Sequence, residues 1–129
     1  MRDRAQARVR VVAGTMKHST GSPTKSQQAR FRALQELGCI ACRKRGFGYA
    51  APDVHHILDG GRRMGHDQTI PLCPHHHRNV APEGITSTQA RLVLGPSLAD
   101  SPRLFREVFG TERELLAEVD ALIAKRCAA

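Results

Sequence analysis

The 129-residue chain has no tryptophan and one tyrosine, and aromatic side chains make up 4% of it. That poverty argues against a platform on which single-stranded bases stack, and leaves backbone and groove contacts as the way to hold a nucleic acid. No apolar run approaches the roughly 20 residues of a spanning helix, and the Arg-rich start is not followed by the apolar stretch of a secretory signal. A soluble, cytoplasmic protein without a membrane partner is expected. Acidic residues are scarce: 12 Asp and Glu stand against 20 Lys and Arg, a net charge of +8, with an isoelectric point near 10.2. Such an excess favours a polyanionic partner, with nucleic acid first. The length suits one modest domain, and no repeat or low-complexity tract extends it.

The charge is uneven. Residues 1–32 hold eight Lys and Arg and one acid, a balance of +7, whereas residues 33–129 hold twelve against eleven, a balance of +1. Residues 1–23 mix basic residues with Ser, Thr, Gly and Pro, and read as a disordered arm. Such an arm either grips phosphates without reading sequence or serves as a solubilising tail. Residues 24–129 form the folded domain. A first helix is expected from Thr24, whose pairing with Gln27 fits a capping box, with Ala29, Ala33, Leu34 and Leu37 on one face and Gly38 as its stop. Near the end, Ser101 and Pro102 open a short helix that Gly110 closes. Thr111 and Glu114 make a second capping box for a helix burying Leu115, Val119, Leu122 and Ile123.

Between Cys39 and Asn79 periodicity vanishes, and Gly, Pro, Cys and His replace ordinary core formers. Cys39 and Cys42 are two residues apart, as are Cys73 and His76. Two such pairs fit the tetrahedral, soft-ligand demands of a structural zinc ion better than a disulfide framework or a redox pair. Cys127, in the tail, is not expected to join them. The helices promise only a small core, so zinc would supply much of the stability of the middle segment. Six of the seven histidines lie between residues 55 and 77, more than one zinc site uses. If Pro74 opens a helix, His76 and His77 point about 100° apart around it. In an extended segment His55 and His56 point to opposite faces. A second site is therefore geometrically available.

The order Cys-x2-Cys, then Val54-His55-His56-Ile57, then Leu72-Cys73-x2-His76-His77, resembles the HNH endonuclease motif, in which a β-hairpin and a helix clasp one catalytic metal. More narrowly, LGCIACRKRGFGYAAPDVHHILDGGRRMGHDQTIPLCPHHHR with GPSLADSPRLFREVFGTERELL downstream resembles the bacteriophage recombination-enhancement nucleases called Ref, which are RecA-dependent; the likeness runs from about Pro23 to Leu122. The resemblance implies His56 as general base, with His55 and His77 holding a divalent metal, Mg²⁺ or Mn²⁺ in turnover and Zn²⁺ as a possible occupant in crystals. It also implies DNA as substrate, a RecA–DNA filament as partner, and the cytoplasm of a bacterial host as the setting. His75 stands where such proteins lead one to expect a bulky aromatic residue, which leaves the fourth zinc ligand open between His75 and His76.

Histidine titrates near neutrality and suits proton transfer there, while a metal can neutralise charge growing on a scissile phosphate. His66 and Asp67 stand where the middle residue of an HNH motif would sit; His66 is the favoured site residue, beside the plainer reading of a polar loop and a turn former. Arg62, Arg63 and Arg78 suit phosphate contacts or a solvated loop. Gly60-Gly61 reads as a tight turn. The expected fold is α+β: a small zinc-stabilised ββα-metal core, the HNH or His-Me finger, with flanking helices. The expected function is metal-dependent DNA phosphodiester hydrolysis. The alternative is a non-catalytic, zinc-stabilised DNA-binding or recombination accessory protein, which would have no need of a base at His56.

Overall fold

The computed structural model describes residues 21–128, so most of the basic arm, residues 1–20, lies outside the described residues. Helix α1, Lys25–Leu37, begins with the expected box: Thr24 Oγ1 accepts from the Gln27 N–H, and Gln27 Oε1 accepts from the Thr24 N–H. Two orphan donors of the first turn are thereby satisfied. Gly38 ends the helix at φ 78°, and a Cβ there would lie 2.7 Å from the Tyr49 ring, so conformation and space both demand glycine. The buried face differs from the expected one. Leu34 and Leu37 are buried, Ala29 is exposed, and Phe31 packs at the edge of the core instead. Phe31 is long enough to reach the rings of His56 and His66; alanine is not.

Helix α2, Ile40–Lys44, is a short turn inside the Cys39–Cys42 spacing, capped by Cys39, whose Sγ accepts from the Cys42 N–H. Strand β1, Asp53–His56, is followed by an outer hairpin of β2, Leu58–Asp59, and β3, Arg62–Arg63. Gly60 and Gly61 turn that hairpin with φ 61° and 82°, positive at both positions as a type I′ turn requires. Strand β4, Thr69–Leu72, returns antiparallel to β1 and sets Ile70 opposite His55 and Thr69 opposite His56. Pro71 is tolerated in β4 because that strand pairs on one side only. Helix α3, Pro74–Arg78, follows at once with Pro74 in its first turn and ends at Asn79 in the left-handed region. Two strands and a short helix therefore stand side by side, as expected.

Helix α4, Ser87–Leu94, carries a third capping box, Thr86 with Gln89. Helix α5, Pro102–Phe109, stops at Gly110, although the Ser101 hydroxyl bonds Asp100 and caps nothing. Helix α6, Glu112–Ala128, starts on the expected Thr111–Glu114 box and buries Leu115 and Val119 fully, with Leu122 and Ile123 packed partly against the core. Strand β4 is buried along its length and touches β1, α1, α2 and α6. Arg30 ties three elements together: it meets Asp120 of α6 at 2.7 Å and both the hydroxyl and the carbonyl of Thr69. Lys44 joins α2 to α6 through the Phe109 carbonyl and Glu118. The result is a small α+β core whose buried hydrophobic cluster contains Cys39, Cys42 and Cys73. No helix among the described residues is long and apolar enough to cross a membrane.

Candidate metal and catalytic centre

Cys39, Cys42, Cys73 and His76 are buried, and their ligand atoms all lie within 4.8 Å of one another. His76 Nδ1 sits 3.5, 3.5 and 3.2 Å from the sulfurs of Cys39, Cys42 and Cys73, and Cys42 Sγ is 3.9 Å from Cys73 Sγ. Tetrahedral bonds of about 2.3 Å to sulfur and 2.0 Å to nitrogen separate ligand atoms by about 3.8 Å and 3.5 Å. The four atoms thus fit a zinc ion. His76 Nε2 is 2.8 Å from the Leu94 carbonyl; that oxygen can only accept, so the proton lies on Nε2 and the Nδ1 lone pair faces the sulfurs. Hydrogen bonds with Cys39 and Cys73, then burial, push the Cys42 thiol up, while hydrogen bonds with Cys39 and Cys42 hold Cys73 down. Three sulfurs this close need a cation before all can be thiolates. The fourth member of the cluster is His76 and not His75, whose Nε2 bonds the Gly95 carbonyl. Cys127 is exposed and apart from the cluster.

The other histidines gather on strand β1 and its neighbours. Alternation along β1 sends Asp53 and His55 to one face and His56 to the other. On the first face, His55 Nε2 lies 2.8 Å from Glu112 Oε2 at the start of α6, and Arg106 reaches Glu112 Oε1 at 3.1 Å. The His55 ring meets the His77 ring edge to face, with centroids 4.9 Å apart. Asp53 Oδ2 accepts from His77 Nδ1 at 3.0 Å and from Arg78 Nε at 2.8 Å. Carboxylates accept and do not donate, so in the neutral rings the protons lie on His55 Nε2 and His77 Nδ1. The lone pairs left over are His55 Nδ1 and His77 Nε2. Hydrogen bonds from His55 to Glu112 and from Arg78 to Asp53 hold both carboxyls below the usual range.

On the opposite face, His56 Nε2 is 3.0 Å from His66 Nδ1, and His66 Nε2 is 2.7 Å from the Gly21 carbonyl. In neutral rings the carbonyl sets the order of protons: His66 donates from Nε2, so its Nδ1 accepts from His56 Nε2–H, and His56 keeps its lone pair on Nδ1. Phe31 packs edge-on against both rings. Burial, then the charge of Arg63, His66 and His55, pushes the His56 imidazole down to about 4. It is neutral at physiological pH.

A family of proteins described as recombination enhancement, RecA-dependent nucleases matches residues 23–124. The chain belongs to this family. No curated protein matches it. The family's activity makes the chain a nuclease, with DNA as its implied substrate and a link to RecA.

The remaining candidates fall in different places. His66 joins His56, whereas Asp67 accepts from Gln27 and ties the loop to α1. Arg62 and Arg63 are exposed on the outer hairpin, and Arg78 is bound to Asp53. An apolar cavity of about 410 Å³ lies on the other side of α3, with His75 in its wall and none of His55, His56 or His77. Glu112, Asp53 and Arg106 escaped the reading of the sequence. Asp53 had a signal, since it shares a strand face with His55; Glu112 is 57 residues from His55 and had none.

Proposed function

We propose that this nuclease is of the HNH type: a metal-dependent DNA endonuclease with His56 as general base, acting on DNA engaged by a RecA filament in the bacterial cytoplasm. The observation that carries the reading is the tautomer of His56. Its Nε2–H is consumed by His66, so a neutral ring presents Nδ1 as a proton acceptor, and its low pKa keeps it unprotonated. In this scheme Nδ1 removes a proton from water as the water oxygen attacks phosphorus. The imidazolium so formed keeps its Nε2–H on His66. The bond to the 3′ oxygen breaks and that oxygen takes a proton from solvent water, giving 5′-phosphate and 3′-hydroxyl ends, while the imidazolium returns its proton to solvent.

His55 Nδ1 and His77 Nε2 are the lone pairs that would hold a divalent cation, Mg²⁺, Mn²⁺ or Zn²⁺. Two imidazoles suit an ion that takes its other ligands from water and phosphate, and among the described residues no group of three or more donors converges there. A cation so held supplies charge neutralisation at the phosphate and the leaving oxygen. Arg62 and Arg63 are exposed on the outer hairpin, where the charge of Arg63 acts on His56, and suit phosphate contacts; Arg78 braces Asp53 on the face of His55 and His77 and suits the same role there.

The test compares wild type with His56→Ala on labelled single-stranded, duplex and RecA-paired DNA, with zinc content measured on both. The expected result is a loss of cleavage of at least about a hundredfold in the variant, with zinc and DNA binding retained. Unchanged cleavage by His56→Ala overturns its role as base. No cleavage by wild type on any substrate, RecA-paired DNA included, favours an accessory protein. Equal cleavage with and without RecA contradicts the filament as substrate.

A further inference from the structure

We propose that Glu112 is a positioning residue that sets the tautomer of His55, and through it decides whether the metal-holding lone pair exists. The inference rests on the metal reading given above and deepens it. Glu112 enters from α6, a helix outside the two strands and the short helix that carry the histidines. Each of its oxygens has one partner: Oε2 takes His55 Nε2 and Oε1 takes Arg106. Both groups are shielded, with side-chain exposures of 13% for His55 and 17% for Glu112. Water is a poor substitute partner at that depth.

The two carboxylates of the site differ in a way that makes the assignment testable. Arg106 is a donor only. In Glu112→Gln the single amide oxygen must turn to Arg106, which aims the amide N–H₂ at His55 Nε2. That nitrogen then has to accept, its proton moves to Nδ1, and the Nδ1 lone pair, on a ring whose centroid lies 4.9 Å from that of His77, is lost. Asp53 has the opposite layout. His77 Nδ1 and Arg78 Nε both donate to the same oxygen, Oδ2. In Asp53→Asn one amide oxygen can serve both donors, and the His77 tautomer survives. Each variant removes one negative charge, so a purely electrostatic role predicts weaker binding in both, while tautomer control predicts it in Glu112→Gln and not in Asp53→Asn.

The experiment uses the full, zinc-loaded chain and two readouts other than cleavage. Imidazole ¹⁵N spectra report the tautomer of His55, and calorimetric titration reports Mn²⁺ affinity. His55 is expected as Nε2–H in wild type and in Asp53→Asn, and as Nδ1–H in Glu112→Gln. Mn²⁺ affinity is expected to fall about 10–100-fold in Glu112→Ala and at least as far in Glu112→Gln, and to stay near wild type in Asp53→Asn. Adding Arg106→Met to Glu112→Gln frees the amide to flip, and should restore both tautomer and affinity. A Glu112→Gln chain that keeps Nε2–H and binds Mn²⁺ normally overturns the proposal. If Glu112→Gln fails to fold, Glu112→Ala with a full complement of zinc decides: undiminished Mn²⁺ affinity there overturns it as well. His55→Ala and His77→Ala separate the two layers. Should they bind Mn²⁺ as wild type does, the metal reading itself fails; should they lose it while Glu112→Gln retains it, tautomer control alone fails.

Discussion

His66 shows how one backbone carbonyl can determine the chemistry of a side chain two steps away. The Gly21 oxygen takes the His66 Nε2 proton, His66 Nδ1 takes the His56 Nε2 proton, and His56 Nδ1 is left as acceptor. Removing His66 takes away the acceptor that holds the His56 proton on Nε2, and so lets the His56 ring exchange tautomers. His66→Ala is therefore expected to lower kcat by about 10–100-fold with DNA affinity unchanged. His66→Gln, whose amide oxygen can accept from His56 while its nitrogen donates to Gly21, should recover most of the loss. Single-turnover cleavage alongside DNA binding checks both, and equal defects in Ala and Gln would reduce His66 to a packing role. Phe31 limits the alternatives, because its edge against both rings restricts the rotamers open to them.

Helix α6 does two jobs at its first turn. Its box holds Thr111 and Glu114 together, and Glu112, between them, faces His55. Thr111→Ala should lower stability by about 1 kcal/mol and also weaken Mn²⁺ binding, because the turn that places Glu112 frays. Thermal unfolding and Mn²⁺ titration measure the two effects, and a stability loss with intact Mn²⁺ affinity would separate them. The same box made α6 legible in the sequence, as the Thr24 box did for α1 and Pro74 did for α3. Thr86 and Gln89 carry an identical signature for α4 that went unread, because Leu92 and Val93 stay exposed and only Ala90 is buried, so no apolar face accompanies it. The Cys39, Cys42, Cys73 and His76 cluster was legible from type and spacing, whereas the parts assigned to His55, His56 and His77 came from the family resemblance. The carboxylate partners of His55 and His77 were not legible: Asp53 needed the strand alternation to be applied to it, and Glu112 needed the packing of α6 against β4.

At the scale of the whole molecule, the zinc cluster and the hydrophobic core are one object. Cys39, Cys42 and Cys73 sit in the same buried cluster as Leu34, Ile70, Leu72, Phe105 and Leu115, and the Phe109 ring meets His76 edge to face at 5.0 Å. A core this small leaves little margin: domains of this size are stable by about 5–15 kcal/mol, whereas a structural zinc site contributes about 10–16 kcal/mol in isolated zinc-binding peptides. An ion held by these four residues would contribute as much as the entire fold has, and its loss would strand three sulfurs and an imidazole in apolar surroundings. A strong chelator at neutral pH is expected to abolish the cooperative thermal transition and most of the far-ultraviolet helical signal. Zn²⁺ should restore them. Mg²⁺ should not, because a hard cation gains little from three thiolates. That difference separates the structural ion from any ion at His55 and His77. A chelated chain that melts cooperatively at the wild-type midpoint would show instead that the helices around β4 hold the fold without the metal.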